Sequence, residues 1–176
     1  MRNDFDAILV GIETVLKDNP RLNATRKPLK KIVLDSKLRV SPRARLFRGV
    51  KPSDCFLVTT KQAPLRKIES LRRLGLQVLI SPQRSGKVDL KWLMKELAKH
   101  QIASILIEGG ARVIGQALKL NIVDKMYIYI APKIMGDEKA LSSICGLNIS
   151  RLDQSIPLRD ISVERIAEDI LIQGYL

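Results

Sequence analysis

Asp6-Ala-Ile-Leu-Val10 is an unbroken apolar run, opened by an acid and closed by Gly11. A strand with one wet face alternates polar and apolar residues. A run without alternation suits a strand covered on both faces, as inside a parallel sheet. The pattern recurs at Lys31-Ile-Val-Leu-Asp35, Cys55-Phe-Leu-Val-Thr59, Leu76-Gln-Val-Leu-Ile80 and Ala103-Ser-Ile-Leu-Ile-Glu108. Helical periodicity fills the intervals. Pro64 to Leu74 carries apolar residues at Leu65, Ile68, Leu71 and Leu74, with basic residues between them. Asp89 is positioned as the N-cap of a helix over Leu90 to Lys99, whose apolar face is Leu90, Leu93, Met94 and Leu97. A third helix is predicted over Ala111 to Leu120, behind Gly109-Gly110. Lys125 to Ala131 then reads as a strand. Ile161 to Ile166 and Asp169 to Gln173, joined by Ala167-Glu168, read as a terminal antiparallel hairpin. The pattern predicts an α/β domain with a mostly parallel sheet and an antiparallel C-terminal edge.

Outward from these runs, the 176 residues contain no internal repeat and no linker, so a single domain over 1–176 is expected. Aromatics are only 4% of the chain, which leaves aliphatic side chains to fill the core. No apolar run approaches the roughly 20 residues that span a bilayer, and no signal-peptide pattern opens the chain. A cytoplasmic protein with no membrane partner is expected. Cys55 and Cys145 lack a C-x-x-C spacing and read as reduced thiols, and one histidine, His100, excludes a multi-histidine metal centre. His100 reads as a surface residue at a helix end and Trp92 as a packing residue. The 31 Lys and Arg against 18 Asp and Glu give a net charge of +13. Such a field attracts nucleic acids, membrane surfaces or phosphorylated small molecules. The aromatics do not interleave with the basic runs as they do in base-stacking modules, and solvated basic loops are the simpler reading of those runs.

Three segments have the make-up of a ligand site. Ile105-Leu-Ile-Glu-Gly-Gly-Ala-Arg-Val-Ile-Gly115 takes a strand through two glycines into a helix. Glycines let a backbone approach a phosphate, and a helix N-terminus offers N–H donors and a partial positive charge. The spacing is not G-x-G-x-x-G, and a plain tight turn is an equal reading. Glu108 puts a carboxylate at the C-terminal end of a buried strand, where α/β sheets bind ligands, a solvated strand-end charge being the alternative. Gly11 to Leu22 follows the first strand and sets Thr14 and Asp18 four residues apart, on one side of a short helical turn that Pro20 stops; a capped turn with Asp18 satisfying backbone donors is the alternative. Asp35-Ser-Lys-Leu-Arg39 follows the second strand, where hydroxyl and cationic groups suit the 2′-phosphate of NADP and an acid favours NAD. No Ser-His-Asp set and no activated cysteine emerges, which fits chemistry carried by a cofactor.

Asp6 to Leu22, Lys31 to Arg39, Leu106-Ile-Glu-Gly-Gly110 and Val123 to Gly136 resemble, in order, signature blocks of the riboflavin-biosynthesis reductases. That family comprises the C-terminal reductase domain of the bifunctional deaminase-reductase and the stand-alone archaeal enzymes. The resemblance covers nearly the whole chain. It implies a dihydrofolate-reductase-like fold, three layers α/β/α, and a reaction. NADPH reduces the ribosyl group of a phosphoribosylamino-pyrimidine to ribityl, through the open-chain imine. The substrate it implies is 2,5-diamino-6-ribosylamino-4(3H)-pyrimidinone 5′-phosphate or 5-amino-6-(5-phosphoribosylamino)uracil, with a tilt towards the former. By the same resemblance Thr14, Asp18 and Ser36 match cofactor positions. Gly110, Ala111, Arg112, Val113, Ile114, Gly115 and Gln116 match the NADP diphosphate loop. Arg2, Leu22 and Glu108 match substrate positions, Arg2 for the 5′-phosphate. A homodimer is implied, and neither a metal nor a nucleic-acid partner.

Two departures from the family pattern are visible. Thr25 stands where bacterial members often carry arginine, and the family's first strand with its Ser/Thr-x-Asp-Gly-Lys loop is expected to be missing ahead of Met1. A catalytically incomplete member of the fold and a basic nucleic-acid-binding domain are the alternative readings.

Overall fold

The computed structural model describes all 176 residues. Its elements are β1 (Ala7–Gly11), α1 (Ile12–Asp18), β2 (Lys30–Leu34), β3 (Cys55–Thr59), α2 (Leu65–Arg73), β4 (Gln77–Ile80), β5 (Gln83–Arg84), β6 (Lys87–Val88), α3 (Leu90–Lys99), β7 (Ile105–Ile107), α4 (Ala111–Lys119), β8 (Lys125–Ile130), β9 (Arg159–Ile166) and β10 (Asp169–Tyr175). Two compact units divide the chain, Met1–Val113 and Ile114–Leu176.

The first unit holds a five-stranded sheet in the order β4-β3-β2-β1-β7, and every pairing in it is parallel. All five residues of β1 are buried, as are all five of β3, which is why their sequences show no alternation. Ile8, Val10, Val33 and Leu57 join Ile68 and Leu71 of α2 and Leu38, Val40 and Leu46 of the connecting segments in one aliphatic core. Asp89 caps α3, its Oδ1 accepting from the Trp92 amide at 3.1 Å. At the far end of α3 the ring of His100 is half-buried, edge-on to Phe56 with centroids 5.2 Å apart, rather than a free surface group.

Strand ends differ from the sequence reading because hydrogen-bonding ends where side chains take over from the ladder. Asp6 precedes β1. Its Oδ2 accepts from the amides of Ala103 and Ser104 and from the Ser104 hydroxyl, all at 3.0–3.1 Å, so Ala103 and Ser104 in turn precede β7. Those three bonds hold the Asp6 carboxyl below the usual carboxylate range. A small hairpin, β5 with β6, turns through Ser85 and Gly86, both at positive φ.

The second unit holds the body of α4 and a three-stranded antiparallel sheet in the order β8-β10-β9. The terminal hairpin pairs as the sequence indicates, Asp169 opposite Ile166. Cross-strand partners share a face. Ile161 and Val163 of β9, Ile170 and Ile172 of β10, and Met126, Ile128 and Ile130 of β8 therefore lie on one side of this sheet. No helix in the structure is long and apolar enough to cross a membrane.

Candidate active site

Parallel pairing sends the C-terminal ends of β1, β2 and β7 to one edge of the sheet. Gly11 lies opposite Leu34, and Leu9 opposite Ile107, with the Glu108 amide donating to the Leu9 carbonyl at 3.0 Å. Chain order reverses at β1, because β2, β3 and β4 are added on one flank and β7 on the other. A crevice at such a reversal is where open α/β sheets take their ligands. Thr14, Ser36, Glu108 and the Gly109-Gly110 turn all leave the sheet at this edge.

The two glycines are needed there. Gly109 and Gly110 have φ of +83° and +81°, which side chains with a β-carbon rarely adopt. A β-carbon on Gly109 would lie 3.4 Å from Thr14 Oγ1, and one on Gly110 would lie 3.3 Å from Val113 Cγ2. At Gly11 the same test meets Val113 Cγ2 at 3.0 Å. The turn is thus folded tightly over Thr14, and the start of α4 abuts the end of β1. The first amides of α4 have no acceptor within the helix and point out of its N-terminus. The Val113 amide turns back to the Gly110 carbonyl at 2.7 Å, which leaves those of Ala111 and Arg112 at the helix start, near the Thr14 hydroxyl.

Glu108 and Arg2 meet beside this turn. Arg2 Nε donates to Glu108 Oε1 at 2.7 Å and Nη2 donates to Oε2 at 2.6 Å, while Nη1 donates to the Asn23 carbonyl at 3.0 Å. The hydrogen bond to Glu108 raises the guanidinium pKa above its ordinary value. Asn3, next along, receives the amides of Thr25 and Arg26 at its Oδ1 and donates to Thr25 Oγ1. Thr25 thereby clips the N-terminal segment to the 23–26 loop.

The other expected positions separate into exposed and buried ones. Asp18 is exposed at the end of α1, and Arg112 is exposed on the first turn of α4, while Ala111 is half-buried. Leu22 is only 4% exposed and its side chain sits in the aliphatic core, with its backbone at φ +55°, so it offers main-chain groups rather than a side-chain contact. The Ser36 carbonyl accepts from Thr59 and Thr60 hydroxyls, which ties the loop after β2 to the end of β3. Asp35 of that loop is fully buried, its Oδ2 accepting from the Val40 amide at 2.8 Å, while Lys37 and Arg39 are exposed. Arg39 pairs with Glu13. Ile114, Gly115 and Gln116 continue α4 in the second unit, where a β-carbon on Gly115 would fall 2.0 Å from the Cys145 carbonyl. One polar residue of this region escapes sequence reading altogether. Lys31 heads an apolar run, yet it is 1% exposed and bonded to three oxygens.

A parallel α/β unit with a glycine turn at its point of strand reversal is the architecture of a nucleotide-type ligand site. The model of the RibD C-terminal domain matches residues 1–172, and the chain belongs to that family. The riboflavin biosynthesis protein RibD of Actinobacillus pleuropneumoniae is 40% identical over 175 residues, covering 97% of this chain and 46% of the relative. The 2,5-diamino-6-ribosylamino-4(3H)-pyrimidinone 5′-phosphate reductase of Methanothermobacter thermautotrophicus is 29% identical, over 98% of this chain and 81% of that protein. In fold, Acinetobacter baumannii RibD superposes with a TM-score of 0.83 at 23% identity, over 99% of this chain and 48% of that one. The chain spans about half the length of the RibD proteins it matches.

Proposed function

We propose that the chain is an NADPH-dependent reductase that converts the ribosyl group of a phosphoribosylamino-pyrimidine to ribityl, with 2,5-diamino-6-ribosylamino-4(3H)-pyrimidinone 5′-phosphate as the first candidate substrate. One observation carries the reading. The Gly109-Gly110 turn, folded on Thr14, adjoins an acid and an arginine that already face each other at the strand-reversal edge. The dinucleotide diphosphate would lie against the turn, where two glycines at positive φ keep the backbone free of side chains and the Ala111 and Arg112 amides open α4. Gly110, Ala111, Arg112, Val113 and the Thr14 hydroxyl would hold it, with Asp18 and Ser36 at its borders. When bound, the nicotinamide supplies a hydride.

The chain's own groups do the rest. Arg2 presents a planar fork of donors suited to a phosphate monoester. Glu108 presents two acceptors to N–H or O–H groups of the ribosylamino-pyrimidine, and orients the sugar carbon by holding its substituents. The buried Asp35 is withdrawn from the loop after β2, and the exposed Lys37 remains, with Arg39 paired to Glu13 beside it, which favours a 2′-phosphate over a free ribose hydroxyl. Homodimerisation is supported by the apolar face of the antiparallel sheet, where Ile161 and Val163 are 58% and 64% exposed and Ile128, Ile130 and Ile170 are exposed as well.

Calorimetric titration of the 176-residue chain with NADPH and NADH, followed by turnover on the diamino-pyrimidinone phosphate, tests this. Tighter NADPH binding with NADPH oxidation dependent on the pyrimidine is the expected result. Binding of neither nucleotide would refute it for this chain. A sedimentation measurement giving a monomer at tens of micromolar would remove the dimer.

A further inference from the structure

We infer that Lys31 is the positioning residue of the substrate side of this site, its buried ammonium holding the Arg21–Asn23 backbone on which Arg2 is oriented; the inference rests on the reductase reading above. Lys31 lies on β2 between two partner strands, opposite Ile8 on one side and Cys55 on the other, so its side chain must end inside the unit. Its Nζ donates to the Arg21 carbonyl at 2.6 Å, to Asn23 Oδ1 at 2.9 Å and to the Leu46 carbonyl at 2.7 Å. Those bonds use all three ammonium hydrogens. None of the acceptors is a carboxylate. The charge is carried by three dipoles from two separate segments, an arrangement that is costly to bury and that packing alone does not call for.

The segment so held is under strain. Leu22, between the two bonded residues, has φ +55°, a conformation unfavourable for so bulky a side chain. The ammonium pulls on the carbonyl just before Leu22 and on the side chain just after it. Asn23 then uses its own carbonyl to accept Arg2 Nη1 at 3.0 Å, leaving the other two nitrogens of the fork for Glu108. Lys31, Asn23, Arg2 and Glu108 therefore form one connected chain of hydrogen bonds. The Gly109-Gly110 turn and the first turn of α4 lie outside it.

That separation gives the test. Lys31→Met keeps the buried stem and removes the donors, Lys31→Arg restores donors, and Asn23→Ala removes a single acceptor at an exposed residue. In the 176-residue chain, Lys31→Met should raise the dissociation constant for the diamino-pyrimidinone phosphate by about 10- to 100-fold, the scale of a lost charged hydrogen bond, with NADPH affinity within about twofold. Lys31→Arg should recover most of the loss, and Asn23→Ala should shift the same constant by about threefold. Equal weakening of both ligands, or unchanged pyrimidine binding in a folded Lys31→Met, overturns the inference. Should the unsubstituted chain bind no pyrimidine, the reductase reading fails instead. Hydrogen exchange then decides the positioning role. Faster exchange at residues 21–26 in Lys31→Met, with β1 unchanged, supports it, and unaltered exchange there overturns it.

Discussion

The guanidinium of Arg2 and the carboxylate of Glu108, 106 positions apart in the chain, close a two-point fork at 2.7 and 2.6 Å. The pair is half-exposed, with 37% of the Arg2 side chain and 25% of the Glu108 side chain accessible. Exposed pairs of this kind contribute roughly 0–1 kcal/mol to stability, so stability alone does not account for so well-aligned a fork. In the absence of substrate each group satisfies the other. On the proposed function a substrate phosphate would offer Arg2 a better-matched acceptor, and Glu108 would then be released toward donors of the pyrimidine.

Substitution of either partner should accordingly separate ligand binding from folding. Glu108→Ala is expected to abolish turnover while leaving NADPH affinity within about twofold, and Arg2→Met to raise the pyrimidine dissociation constant about 30-fold, near the value of a bidentate charged contact. Unfolding free energy should change by no more than about 1 kcal/mol in either variant. Calorimetry with each ligand and a denaturant titration check all three. Loss of NADPH binding in Glu108→Ala would move this acid into the cofactor site.

Two glycines of the same stretch should respond differently to alanine. At Gly110, φ is +81° and the new β-carbon would sit 3.3 Å from Val113 Cγ2, so Gly110→Ala is expected to cost about 1–2 kcal/mol of stability and to weaken NADPH at least tenfold by tilting the turn. Gly115 lies inside α4, where alanine by itself favours the helix by roughly 1 kcal/mol. Its β-carbon would fall 2.0 Å from the Cys145 carbonyl, and a backbone atom cannot swing aside as a side chain can. Gly115→Ala should therefore destabilise by about 1–3 kcal/mol in spite of propensity. Thermal unfolding with and without NADPH distinguishes the two, since saturating cofactor should restore little of the Gly110→Ala loss.

The parallel sheet was legible because burial on both faces erases alternation, as in Ala7–Gly11 and Cys55–Thr59. Asp89 was legible as a cap because its partner is only three residues away. What joins distant segments was not. Arg2 and Glu108 could be named by family likeness, but their mutual pairing is a product of topology. Lys31 heads an apolar run, and nothing local announces its burial, since its three acceptors come from Arg21, Asn23 and Leu46, which no local period connects to it. Leu22 was matched to a substrate position, yet its side chain is taken up by the core and only its backbone is left to serve. The β5–β6 hairpin did carry a signal, the Ser85-Gly86 dipeptide, in a segment whose polar strands have no apolar run to announce them.

Cys55 extends the argument to pH. Burial pushes its thiol up to about 11, with Lys31 across the β2–β3 pairing opposing the shift only in part. A raised pKa in the folded state means that the thiol stays protonated in the fold after it has ionised in the unfolded chain. Stability from this group is complete below the unfolded value and falls as pH rises from there towards 11, with a slope of at most about 1.4 kcal/mol per pH unit. Lys31, its pKa lowered by burial, contributes the opposite sign, because the unfolded chain binds the extra proton just below the ordinary lysine range. Replacing the thiol with an apolar group of similar size, Cys55→Val, should remove the destabilising part and leave the rise due to Lys31. Denaturant midpoints measured every half unit from pH 8 to 10.5 test it. A Cys55→Val chain that loses stability over this range as steeply as the unsubstituted one would show that the buried thiol is not the group responsible.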